Sequence, residues 1–160
     1  MPKLTPRDKL WFRDYVAAAK TSRECLEFLL EYLHVPIALD YSVKSLEDLE
    51  NLYCKITPEQ IPQSVSDMEH LASLIGQYLG ESIIYHTGAK WIQTTESNER
   101  FGQACIDGFR NEKWDRIYPI DIAKGFPTLP QRKPFFPGAR DQRIVAAQLE
   151  KALRVFAESQ

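Results

Sequence analysis

Apolar positions recur at helical spacing in five stretches of this chain and at strand spacing in several shorter ones. Over residues 6–20, Leu10, Trp11, Tyr15 and Ala18 fall on one face and Arg7, Lys9 and Arg13 on the other, which predicts a first helix with the Trp11 ring packed inward. After the cap-forming pair Thr21 and Ser22, "RECLEFLLEYLH" sets Cys25, Leu26, Leu29, Leu30 and Leu33 on one stripe and Glu24, Glu27 and Glu31 on another; Pro36 ends this second helix, with His34 near its carbonyl end. In "DYSVKSLEDLENLYCKI" Ser45 and Asp48 stand at capping-box spacing, and Leu46, Leu49, Leu52, Tyr53 and Ile56 make the apolar face of a third helix. Ser66 and Glu69 repeat that spacing ahead of a fourth, whose inward residues are Met68, Leu71, Ala72, Ile75, Tyr78 and Leu79. Residues 141–157 carry Ile144, Leu149, Leu153 and Phe156 and predict a closing amphipathic helix with Arg140, Arg143 and Arg154 outside.

Between the fourth and closing helices the pattern changes. In "LASLIGQYLGESIIYHTGAKWIQ" Gly80 stands where a helix C′ residue would need positive φ, and residues 82–86 and 90–94 cluster β-branched and aromatic side chains around Thr87-Gly88. This predicts a helix-to-hairpin corner at Gly80. "GQACIDGF" adds a third short strand and "DRIYPIDIA" a fourth, held to an edge or bulge by Pro119. Gly76, inside the fourth helix, predicts close approach of another backbone, such as a crossing strand. The proline-rich stretch "KGFPTLPQRKPFFPGAR" is a loop. The expected fold is α+β: N-terminal helices on a small antiparallel sheet of about 3–4 strands, with a closing C-terminal helix, in a single domain over residues 1–160.

Composition narrows the class. No apolar run nears the roughly 18 residues that span a bilayer, and "MPKLTPRDKLWFRDY" has no signal-peptide pattern, so a soluble cytoplasmic protein without membrane partners is expected. Cys25, Cys54 and Cys105 stand singly, which predicts buried reduced thiols rather than a zinc site or disulfide framework. Net charge is −2, but residues 21–81 hold three Lys/Arg against eleven Asp/Glu, a net of −8 flanked by segments of +3 on either side. An acidic segment suits a basic partner, although a solvated helix face explains it as simply.

Candidate chemistry is sparse. No glycine-rich phosphate loop, nucleophile elbow or zinc-protease motif occurs, no cofactor or metal is expected, and the sequence inclines away from an enzyme. Glu81, at the corner and near Tyr78, His86 and Trp91, could form a pocket with a carboxylate base, though a glutamate at such a corner has the simpler role of locking the turn. His70 and His86 lack metal-ligand spacing. Phe126, Phe135 and Phe136 alternate with Lys124, Arg132, Lys133 and Arg140, a mixture suited to acidic ligands or bases, but the sequence pI of about 5.9 provides no drive toward nucleic acid.

Ser45, Leu46, Leu49, Gly76, Leu79, Gly80, Glu81, Gly88, Trp91, Pro119 and Lys124 follow an order of motifs, SLxxL(D/E), then LGxxLGExI…GxxW, then PIDxAK, that resembles a loose group of small uncharacterised bacterial α+β proteins. The resemblance spans about residues 39–126. It implies a domain without an established enzymatic activity, some members acting as immunity partners of toxins, and it brings no catalytic residues. Alanine in "HTGAKW" replaces a glycine common in the group. The expected function is therefore non-enzymatic protein binding: an immunity protein occluding a cognate basic toxin through Asp40, Glu47, Asp48 and Glu50, with Tyr41 or Tyr53 as aromatic anchor. The alternative is a small enzyme or ligand-binding domain with a pocket of Tyr78, Glu81, His86 and Trp91.

Overall fold

A computed structural model describes residues 2–96, 98–108, 116–126 and 143–160. Among these, the helices α1 (Pro6–Lys20), α2 (Ser22–Leu33), α3 (Val43–Lys55), α4 (Met68–Thr87), α5 (Pro119–Lys124) and α6 (Val145–Glu158) accompany one two-stranded antiparallel sheet, β1 (Lys90–Gln93) and β2 (Ala104–Asp107). The class is α+β, with fewer strands than the 3–4 expected.

The core is built around α4, which touches α1, α2, α3, α5, α6 and β2. Leu71, Leu74, Ile75, Tyr78, Leu79 and Ile83 are buried along it, and so are Gln77 and Ser82 on other sides. A helix enclosed on nearly all sides needs apolar residues all round, so it shows no stripe. Ser82 and Ile83 lie within this enclosure while Tyr85 and His86 are exposed, so residues 82–86 have a strand-like composition and still continue the helix. The hydroxyls of Ser82 and Thr87, which would otherwise compete with the backbone, donate to the carbonyls four residues back at 2.7 Å each.

The corner therefore lies one segment later than expected. Gly80 is an interior helical residue, and the left-handed cap is Gly88, at φ 73°. Gly80 lacks a side chain because the indole of Trp91 lies directly over it: a Cβ there would collide with Trp91 Cζ2 and Cη2. Gly76 does accept another backbone, but that backbone is the first turn of α5, with a Cβ position 2.9 Å from the Pro119 carbonyl oxygen. Pro119 opens α5 at its first turn, where its missing N–H costs no helical hydrogen bond. The expected fourth strand thus shrinks to a single bridge, in which Ile106 and Ile117 exchange backbone hydrogen bonds of 2.8 and 3.1 Å.

Two helix starts and two helix faces also differ. Ser42, not Ser45, caps α3, accepting from the Ser45 N–H at 3.1 Å, and Asp67, not Ser66, caps α4, accepting from the His70 N–H at 2.8 Å. The inward side of α1 is Phe12, Tyr15, Val16 and Ala19, which leaves Leu10 exposed and Trp11 42% exposed, its ring stacked on Tyr15. On α6 the buried residues are Val145, Ala146, Leu149, Ala152 and Val155. Cys25 and Cys54 are exposed and only Cys105 is buried, because the inner stripe of α2 runs through Ser22, Leu26, Leu29 and Leu30. Burial pushes the Cys105 thiol up to about 11.

Candidate functional site

The acidic residues of α3 are largely engaged within the fold. Glu50 is 3% exposed, and its carboxylate accepts from the N–H groups of Ile144, at 2.9 and 3.2 Å, and Ala146, at 2.7 Å, at the start of α6. Glu47 pairs with Arg143, which also grips Glu150. Asp48 pairs with Lys44 one turn earlier at 2.8 Å. Tyr53 is buried against Phe126, with ring centroids 5.0 Å apart. Glu50 and Tyr53 are thus core residues, and so is Phe126 of the proline-rich stretch; Phe135 and Phe136 fall outside the described residues.

Asp40 and Tyr41 occupy a tight turn ahead of α3. Asp40 accepts from the Ser42 N–H at 3.1 Å, and hydrogen bonding to Ser42, aided by the Arg23 charge, holds its carboxyl below the usual range. Tyr41 has a left-handed φ of 63°, uncommon for a non-glycine residue, and several contacts compel it. Its N–H donates to the Tyr78 hydroxyl, its carbonyl oxygen bonds His86 Nε2, both at 2.8 Å, and its ring stacks between Tyr78 and Tyr85. The Arg23 guanidinium lies 5.2 Å from the ring centroid.

The four residues of the expected pocket separate into two clusters. Tyr78 and His86 hold Tyr41; the buried Tyr78 hydroxyl also bonds Ser45 Oγ at 2.8 Å, and desolvation raises its pKa. Glu81 instead accepts from Trp91 Nε1 at 2.8 Å, and Trp91 meets the edge of Tyr15, whose phenol burial pushes up. Glu81 therefore locks the indole over Gly80. Of three clefts among the described residues, one between Leu33, Ile37 and α3 reaches Asp48 and Lys55, one between α4 and α5 contains Tyr53 and Lys124, and one lies beside α2. None of these three is lined by Tyr78, Glu81, His86 or Trp91.

The outer face of α2 is more open. Phe28 and Tyr32, one turn apart, are 54% and 55% exposed, and Glu24, Glu27 and Glu31 on the same outer side are exposed too. Around the helix, Arg23 joins this face to the turn of Asp40 and Tyr41, whose ring stacks on Tyr85, itself 66% exposed; Arg23 also pairs with Glu27 at 2.9 Å. On the opposite flank, the cleft beside α2, about 300 Å³, is formed by Thr21, Glu24, Cys25, Phe28, Ser64 and Val65. The sequence signal for this face was present: Phe28 and Tyr32 stand off the leucine stripe and among three glutamates.

Among the described residues no group of His, Cys, Asp and Glu is arranged to hold a metal ion, and no helix is long and apolar enough to cross a membrane. Comparison of the chain with known protein families, curated proteins and solved structures finds no match.

Proposed function

We propose that this chain is a non-enzymatic protein-binding domain, a bacterial immunity protein that works in the cytoplasm and neutralises a cognate toxin by occlusion, with the outer face of α2 as its contact surface. The observation that supports this reading is the pair of exposed rings, Phe28 and Tyr32, set among Glu24, Glu27 and Glu31. Aromatic side chains are preferred interface anchors because they bury large areas while losing few rotamers, and exposed ones gain most from a partner. The surrounding carboxylates attract a basic surface and speed encounter, and they repel nucleic acid. On this reading the contact surface lies on α2, with Asp40 and Tyr41 at its margin, because Glu47 and Glu50 of α3 are engaged by the segment that leads into α6.

The test is co-expression with the product of a toxin-sized reading frame beside the gene, read as rescue of growth, followed by calorimetry on the purified pair. Phe28→Ala with Tyr32→Ala should weaken binding at least tenfold while the circular dichroism stays native. A pair that fails to associate, or associates with unchanged Kd in the double variant, would sink the proposal.

A further inference from the structure

We infer that the cleft beside α2 is an anchor subsite for one arginine side chain of the partner. This inference rests on the reading of α2 as the contact surface and specifies the chemistry recognised there. The cleft lies between α2 and the segment that carries Ser64 and Val65, and at about 300 Å³ it sits at the lower bound of the roughly 300–1,000 Å³ typical of small-molecule pockets. That size suits a single side chain. Its walls are almost wholly apolar, formed by Cys25, Phe28 and Val65 together with Thr21, Ser64 and Glu24; Glu24 is the one charged residue among them, and no lining residue is basic.

An occupant with an apolar stem and a cationic head satisfies every wall. Lysine and arginine both have such a stem, which can lie along Val65 and Cys25 with the charge carried outward. Arginine fits better for two reasons. Its planar guanidinium can stack on an aromatic face such as that of Phe28, and it can bond a carboxylate such as that of Glu24 through two parallel N–H groups. Glu24 is exposed and makes no ion pair among the described residues, so it is free to accept, whereas Glu27 on the far flank is already paired with Arg23. The field of Glu27 and Glu31 adds a preference for cations and none for shape.

The experiment is a two-dimensional amide NMR titration of the whole chain with N-acetyl-arginine amide, with the lysine and norleucine amides as comparisons. The arginine probe should shift the resonances of Glu24, Cys25, Phe28, Ser64 and Val65 saturably. The lysine probe should bind at least threefold more weakly, and norleucine should produce no saturable shift. Cys25→Trp, which fills the cleft from an exposed position, should abolish these shifts and leave the rest of the spectrum native, and Glu24→Gln should weaken them severalfold. Shifts spread equally over Glu27, Glu31 and Asp40 and surviving Cys25→Trp would overturn the anchor, as would the absence of any shift. Binding of the cognate toxin separates the two levels of the argument. If Tyr32→Ala weakens the toxin complex and Cys25→Trp does not, the anchor is wrong and the α2 surface stands; if neither variant changes it, the surface itself is wrong.

Discussion

The Glu50 carboxylate on α3 accepts the Ala146 N–H at 2.7 Å, so the N-terminus of α6 is capped by another helix. The Ile144 N–H joins the same carboxylate, and α6 has no side-chain cap of its own. Negative charge at a helix N-terminus meets free N–H groups and the positive end of the helix dipole, which stabilises this otherwise costly buried ion. Losing one partner of a buried, hydrogen-bonded charge costs about 3–5 kcal/mol. Glu50→Ala should therefore lower stability by about 3 kcal/mol in urea melts, and Glu50→Gln by less, because the amide oxygen still accepts. Reversing Glu47, Asp48 and Glu50 together to lysine should unfold the protein, as circular dichroism would show; a native spectrum would contradict the capping role.

Gly80→Ala should destabilise by about 1–3 kcal/mol, the range for overpacking a filled site, because the new methyl group displaces the Trp91 indole and stretches its hydrogen bond to Glu81. Trp91→Ala removes the obstacle. Denaturant melts of the two single variants and the double should therefore be non-additive, with little further cost of Gly80→Ala once Trp91 is gone. Additive losses would show that the glycine is needed for another reason.

Thiol titration should separate the three cysteines. Cys25 and Cys54 are exposed and should react with an aromatic disulfide reagent at pH 8 within minutes, whereas Cys105, buried and with its thiol pushed up to about 11, should react only after unfolding. Two fast equivalents and one protected equivalent are expected; three fast equivalents would contradict the burial of β2.

The start of α1 should respond to acid. Asp8 and Thr5 form a capping box, with the Asp8 Oδ2 accepting the Thr5 N–H at 2.8 Å and the Thr5 hydroxyl accepting the Asp8 N–H at 3.1 Å. Hydrogen bonding to the Asp8 carboxylate, first from the Thr5 backbone N–H and then from the Thr5 hydroxyl, lowers the Asp8 pKa below its unfolded value of 3.8. The unfolded chain thus binds the proton more readily, so the contribution is full above pH 3.8 and is lost as pH falls through the lower folded value. Carboxyl chemical shifts of Asp8 should titrate below those of exposed aspartates, and Asp8→Asn should remove that part of the acid response.

What the sequence determined by itself is the set of helices whose burial is one-sided. α2, α3 and α6 each turn one face to the core, so a 3.6-residue apolar period marked them, and the β1 and β2 segments were legible from their short apolar runs. What the sequence left open was how α4 is enclosed. Its middle is covered on nearly every side, its last turn has a strand-like composition although Tyr85 and His86 are exposed, and Gly80 passed for a terminus when its purpose is to admit Trp91. Assignment of charge was decided only in three dimensions as well. Glu24, Glu47 and Glu50 are alike as letters, yet α6 lies against α3, so Glu50 becomes a buried cap and Glu47 a partner for Arg143, while Glu24 stays in solvent beside Phe28. Local spacing says which residues share a helix face; which face another helix covers depends on contacts about a hundred residues away, and those carry no local pattern.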